Sequence, residues 1–256
     1  MALLAIDNAR VTFGGLHAVD GLSTSIRAGQ IKGIIGPNGA GKTTLFNAIA
    51  GVQKLSGGTI RFEDQPIGHL EPYQRARLGM ARTFQNLQIF ADLTLLENVM
   101  IGCHPNVRTG FVAALVGSRR ASREALRMEA LAFEQLERFG MADRALRRAG
   151  DLSFGEAKLL EIARALAASP RMLLLDEPIA GVPSSEQPAI ADTIRRINAE
   201  GVTVVLVEHN MRMVMGLCDE ILVMRSGQFL AEGTPRQIAS DPEVIAAYLG
   251  EELTDA

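Results

Sequence analysis

The chain has 256 residues, 47% of them hydrophobic and 21% charged, a balance that excludes fibrous, low-complexity and disordered classes and leaves a globular protein with a large core. Its 26 Lys and Arg against 29 Asp and Glu give a net charge of -3, so no overall basic surface draws it to DNA, RNA or an anionic membrane. Two cysteines, Cys103 and Cys218, are too few for a bridged secreted scaffold, and a reducing compartment is expected. The start, Met1 to Ile6, lacks a positive charge and is interrupted by Asp7, unlike a signal peptide, so the mature chain is expected to begin here. The longest apolar runs, 111–116 and 202–207 with its Thr203, fall far short of the roughly 20 residues that span a bilayer. The polypeptide is expected not to cross a membrane by itself.

In chain order, Val11, Phe13, Leu22 and Ile26, punctuated by Gly14-Gly15 and Ala28-Gly29, predict short antiparallel strands and turns. The β-branched run 31–35 predicts a short strand, followed by a glycine-rich loop and a helix over 42–50. Residues 59–62 read as another short strand. From about 94 to 150 the pattern is helical, with Leu126, Leu131, Phe133, Leu136 and Phe139 near the helical period. Eight arginines and five acids lie between Arg119 and Arg148, which reads as a solvated face or as a docking surface. Strand patterns then return at 171–175, 202–207 and 220–224, with a helix over 187–198. The expected architecture is an α/β core over 1–93 and 151–256, interrupted by a helical subdomain over 94–150.

Gly36-Pro37-Asn38-Gly39-Ala40-Gly41-Lys42-Thr43 matches the phosphate-binding P-loop at every fixed position, between a strand and a helix. Its glycines let the loop curl until several backbone N-H groups face one phosphate, beside the positive end of the helix. Lys42 can reach the terminal phosphates, and Thr43 offers its hydroxyl to Mg²⁺. The second element is Asp176-Glu177, behind the apolar run 172–175, at the sheet edge where ligands of open α/β folds bind. Asp176 is expected to hold Mg²⁺, and Glu177 to orient or deprotonate the attacking water.

A further set of motifs follows in order. Leu152-Ser153-Phe154-Gly155-Glu156 stands 24 residues before Asp176, Gln85 sits in Arg82-Thr83-Phe84-Gln85, and His209 follows the run 202–207. With these the chain resembles, over essentially its full length, the nucleotide-binding subunit of ABC transporters. The resemblance implies a P-loop NTPase (RecA-like) core with an antiparallel β subdomain and an inserted α-helical subdomain, acting on ATP with Mg²⁺. It implies that Phe13 stacks on adenine, that Thr44 joins Gly36 to Thr43 at the nucleotide, and that Gln85 touches Mg²⁺ or the attacking water. His209 is implied to hold the terminal phosphate, catalytically with Glu177 and Gln85. Ser153, Gly155 and Glu156 are implied to bind the ATP of a second cassette from the start of a helix, with Ser153 also suited to cap it.

The sequence departs from that family at three positions. Phe154 replaces a glycine, which matters if the turn needs a glycine-only conformation. Glu156 replaces a common Gln and adds negative charge near a phosphate. Pro183 stands where the loop after the acidic pair usually has Asp. Finer likeness at 82–90, in the long stretch that follows to Arg120, at 179–181 and at Tyr248-Leu249-Gly250-Glu251 is to the larger ATPase of branched-chain amino-acid importers. That resemblance implies a second, related ATPase, two permease subunits and an extracytoplasmic binding protein, with no nucleic acid, at the cytoplasmic face of a bacterial or archaeal inner membrane. The ATPase of a lipopolysaccharide exporter and a soluble non-transport ATPase are the alternatives. A GTPase is disfavoured because no Asn-Lys-x-Asp base-reading motif occurs.

Overall fold

The structure is a computed structural model and describes residues 2–83, 87–103 and 119–252. Its elements are β1 (Ala2–Phe13), β2 (Leu16–Arg27), β3 (Ile31–Ile35), α1 (Lys42–Ala50), β4 (Gly57–Phe62), β5 (Gln65–Pro66), α2 (Pro72–Arg77), β6 (Met80–Arg82) and α3 (Leu95–Gly102). There follow α4 (Arg119–Arg138), α5 (Phe154–Leu166), β7 (Met172–Asp176), α6 (Gln187–Ala199), β8 (Thr203–Val207), α7 (Met211–Leu217), β9 (Glu220–Arg225), β10 (Gln228–Gly233), α8 (Pro235–Ala239) and α9 (Pro242–Glu252). Two compact units emerge: Met1–Arg75 with Leu174–Pro178 and Ala191–Ala256, and Ala76–Leu173 with Ile179–Ile190.

The first unit contains an antiparallel sheet in the order β2-β1-β4-β5 and strands in the order β10-β9-β3-β8-β7. β3 runs parallel to both β8 and β9, with Ile34 opposite Val207 and Leu222. Every residue of β3, β7 and β8 is buried, which is why these strands read as continuous apolar runs instead of alternating ones. Lys32 is the exception by chemistry, 1% exposed in the middle of β3. Its ammonium donates to Thr24 Oγ1, the Ser25 carbonyl and Glu220 Oε2, each at 2.9 Å, and to Glu232. One buried cation thereby ties β2 to β9 and β10.

The second unit is largely helical. α3, α4 and α5 pack around Leu95, Val99, Ala132, Leu136 and Leu160. On α4 the buried stripe is Ala132, Gln135 and Leu136, flanked by half-buried Met128 and Leu131 and by Phe139 just past the helix end. Leu126 and Phe133, which the pattern also assigns to the apolar face, are exposed because they lie more than about 100° round the helix from the centre of that stripe. Within the same unit β6 adjoins the start of β7, where the Gly79 carbonyl accepts from the Arg171 and Met172 amides at 2.8 and 3.1 Å. The stretch expected to be helical, 94–150, thus shares its unit with β6 and α5, since α5 supplies one wall of the same core.

Candidate nucleotide site

The loop from Gly36 to Gly41 joins the buried strand β3 to α1 and bends where only glycine fits. Gly36 and Gly41 have φ of 150° and 91°, and a Cβ would collide with the Met224 carbonyl oxygen at the first and the Ala18 carbonyl oxygen at the second. Lys42 is 5% exposed, and its ammonium donates to the Gly36 and Pro37 carbonyls at 2.6 and 2.7 Å, so the loop closes round its own lysine. Asn38, Gly39 and Thr43 are exposed, Thr44 is half-buried, and Pro37 and Ala40 are buried. α1 has no side-chain cap and no acid in its first turn, leaving its positive end to a ligand. The β1–β2 hairpin abuts this loop through Ala18, and Phe13, at the hairpin's end opposite Leu16, is 50% exposed.

At the neighbouring strand ends, Asp176 is 1% exposed and Glu177 adopts a left-handed backbone with φ of 48°. A non-glycine residue in that region is strained by about 1 kcal/mol or more. Here the Glu177 amide donates to the Val207 carbonyl at 2.9 Å, which fixes the turn. The turn directs the carboxylate so that its Oε1 lies 3.2 Å from His209 Nε2. Because Val207 pairs with Ile34, the carboxylate, the imidazole and the start of the glycine loop share one edge of the strands.

Thr43 and Asp176 are hard oxygen donors. Among the described residues no group of three or more His, Cys, Asp and Glu side chains could hold a metal alone. Such a sparse protein set fits Mg²⁺, which takes one or two protein oxygens together with phosphate oxygens.

Ser153, Gly155 and Glu156 belong to the second unit. Ser153 caps α5 in a reciprocal capping box: its Oγ accepts from the Glu156 amide at 3.2 Å and Glu156 Oε2 accepts from the Ser153 amide at 3.0 Å. Gly155 is buried beneath Glu186, whose carboxylate occupies the space a Cβ would need. Phe154 has no left-handed backbone; it begins the helix as an ordinary residue and packs over Gly181, so the conformational concern does not arise. The added charge of Glu156 is met by Arg144, whose guanidinium donates to Oε1 at 2.6 Å. First the Arg144 bond and then the Ser153 amide hold this carboxyl below the usual range. Gln85 lies outside the described residues.

Two contributors carry no sequence signal of their own. Glu208, 4% exposed, accepts at Oε2 from the His209 and Asn210 amides at 3.0 and 3.2 Å and shapes the turn that carries the imidazole. Arg144 is one of eight arginines in a helical stretch and is distinguished only by what it meets in space.

The ABC transporter family profile matches residues 19–180, and a branched-chain amino acid ATP-binding cassette transporter profile matches residues 230–254. The chain is 42% identical over 253 residues to the high-affinity branched-chain amino acid transport ATP-binding protein LivG of Escherichia coli K12, covering 97% of this chain and 98% of that one. It is 41% identical to BraF of Pseudomonas aeruginosa, a protein of the same description, with the same coverage. An ATP-binding cassette of an ABC transporter, crystallised in its ADP conformation, superposes with a TM-score of 0.85 at 36% identity, covering 98% of this chain and 99% of that one.

Proposed function

The chain belongs to the ABC transporter family of ATP-binding, ATP-hydrolysing cassettes, and from that premise we propose that it powers a branched-chain amino-acid importer. The observation that carries the substrate class is the match of residues 230–254 to the branched-chain profile, together with near full-length likeness to LivG and BraF. No helix among the described residues is long and apolar enough to cross a membrane. In this reading the path for substrate belongs to two permease chains, fed by an extracytoplasmic binding protein, with this chain on their cytoplasmic face beside a second, related cassette.

In this reading Gly36 to Thr44 hold the phosphates by backbone N-H groups and the Lys42 ammonium, which exchanges loop carbonyls for phosphate oxygens. Phe13 offers its exposed face to the adenine. Thr43 and Asp176, with Gln85, would hold Mg²⁺, which would offset the negative charge of the phosphate oxygens. Glu177 accepts a proton from water as the water oxygen bonds to the terminal phosphorus and the bond to the bridging oxygen breaks, giving ADP and phosphate. His209, 3.2 Å from that carboxylate, orients it and donates toward the terminal phosphate. Ser153 and Gly155 complete the ATP site of the second cassette, so that two ATP molecules hold the pair closed until hydrolysis opens it.

The test is reconstitution with the permeases in vesicles, followed by addition of a leucine-loaded binding protein. ATP hydrolysis and leucine uptake should rise together. If the tagged chain recovers no multi-spanning partner, or leucine leaves hydrolysis unchanged, the importer reading fails.

A further inference from the structure

Glu156 stands at the third position of α5, where a neutral Gln would close the capping box with Ser153 equally well. Its extra negative charge therefore needs another reason to be tolerated beside a turn read above as facing a nucleotide. That reason is spatial. Arg144, twelve residues earlier in a short turn of 3-10 helix at Ala142–Arg144, reaches Glu156 Oε1 at 2.6 Å, while Oε2 stays on the Ser153 amide at 3.0 Å. Asp143, 3.9 Å from Arg144 Nε, is mostly exposed and a weaker competitor. Arg144 and Glu156 side chains are themselves only 28% and 34% exposed, which favours a defined geometry over a fluctuating surface pair.

We propose that Arg144 is a positioning residue for Ser153: it neutralises and pins Glu156, so that the carboxylate serves as a cap and presents no net negative charge to the phosphate that Ser153 receives. The inference rests on the reading that this turn binds the ATP of a second cassette. Its physical content is a charge balance across three residues. One of the eight arginines of the helical stretch thus acts neither as a solvated face nor as a docking surface, but as part of the nucleotide site. Loss of the guanidinium adds the charge of Glu156 to that of Glu186, whose carboxylate already lies over Gly155, and the attraction of that helix end for phosphate falls.

The experiment measures ATP hydrolysis against MgATP concentration for the full chain purified together with its second cassette. Arg144→Ala is introduced into the unaltered chain and into Glu156→Gln. In the unaltered chain it should raise the half-saturating MgATP concentration by about fivefold or more, the size expected of a directly bonded pair. In the Glu156→Gln background, where no charge remains to be balanced, it should raise it by less than about twofold. Equal effects in both backgrounds would indicate a merely structural arginine and overturn the proposal, as would no effect in the unaltered chain. Should Arg144→Ala not fold, Arg144→Gln in the same two backgrounds decides. Ser153→Ala separates the premises: if it leaves half-saturation unchanged, the reading of the turn itself fails; if it raises half-saturation while Arg144→Ala does not, only the present inference fails.

Discussion

Glu177 combines a strained backbone, an amide anchored on Val207 and a carboxylate beside His209, so its conformation serves placement of the acid and not the stability of the turn. Replacing it by Gln keeps the shape and removes the proton acceptor. ATP should still bind, while turnover falls by about 10²- to 10⁴-fold; calorimetric titration and phosphate release measure the two quantities, and near-normal release would remove Glu177 from its role. Lys42 differs in kind, because its ammonium is a binding group. Lys42→Ala should weaken nucleotide affinity by about one to two orders of magnitude, the worth of a charge-assisted hydrogen bond, and unchanged affinity in the same titration would sink the phosphate-cradle assignment. Both residues were legible in the sequence because each belongs to a short pattern whose spacing is set by backbone chemistry. Glu208 was not, since an acid before a histidine has no meaning until its carboxylate is seen on two amides.

At the scale of elements, the helical unit is held by polar staples as well as by its apolar core. Asn98 on α3 is fully buried; it donates to the Phe90 and Thr94 carbonyls at 3.0 and 2.9 Å and accepts from the Phe90 amide at 2.9 Å. Asn98→Ala strands buried backbone groups and should lower unfolding free energy by about 2–3 kcal/mol, read from urea denaturation; a change under about 0.5 kcal/mol would show that water replaces the side chain. The capping pattern of α3, Thr94 with Glu97, is written locally, whereas Asn98 looks like any polar helix residue in sequence. The face of α4 was only partly legible for a similar reason: several apolar residues compete, and packing against α3 and α5 selects Ala132 and Leu136 over Leu126 and Phe133.

Over the whole molecule, Lys32 is the clearest case of a charge that tertiary structure makes tolerable. Lys32→Ala leaves Glu220 and Glu232 without their shared cation, and the chain should lose about 3 kcal/mol. This is the lower end for a broken buried pair, because both carboxylates keep about a fifth to a quarter of their side chains exposed. Acid should act through the same cluster. Desolvation pushes Glu220 up, but hydrogen bonds from Lys32 and Gln30 together hold it below its ordinary value, and Glu156 is held low by Arg144. Groups depressed in the folded state stabilise it above their unfolded pKa, about 4.3 for Glu, and that stability is lost as pH falls through the folded values. Thermal midpoints should therefore drop below about pH 4.3, with a shallower acid limb in Lys32→Ala; parallel limbs would exclude Lys32 from the effect.

The sequence by itself determined the chemistry whose geometry is local. A strand, six loop residues and a lysine at the head of a helix curl round phosphate because glycine alone tolerates the bends at Gly36 and Gly41. It equally determined the acidic pair after a buried strand and the cap of α5. The likeness to a family paired His209 with Glu177, but tertiary structure alone decided how they meet across 32 positions, through the bond from the Glu177 amide to Val207, and that Arg144 meets Glu156 at all. Charges separated in sequence carry no address. Only packing brings them within the few ångströms at which one charge changes the meaning of another.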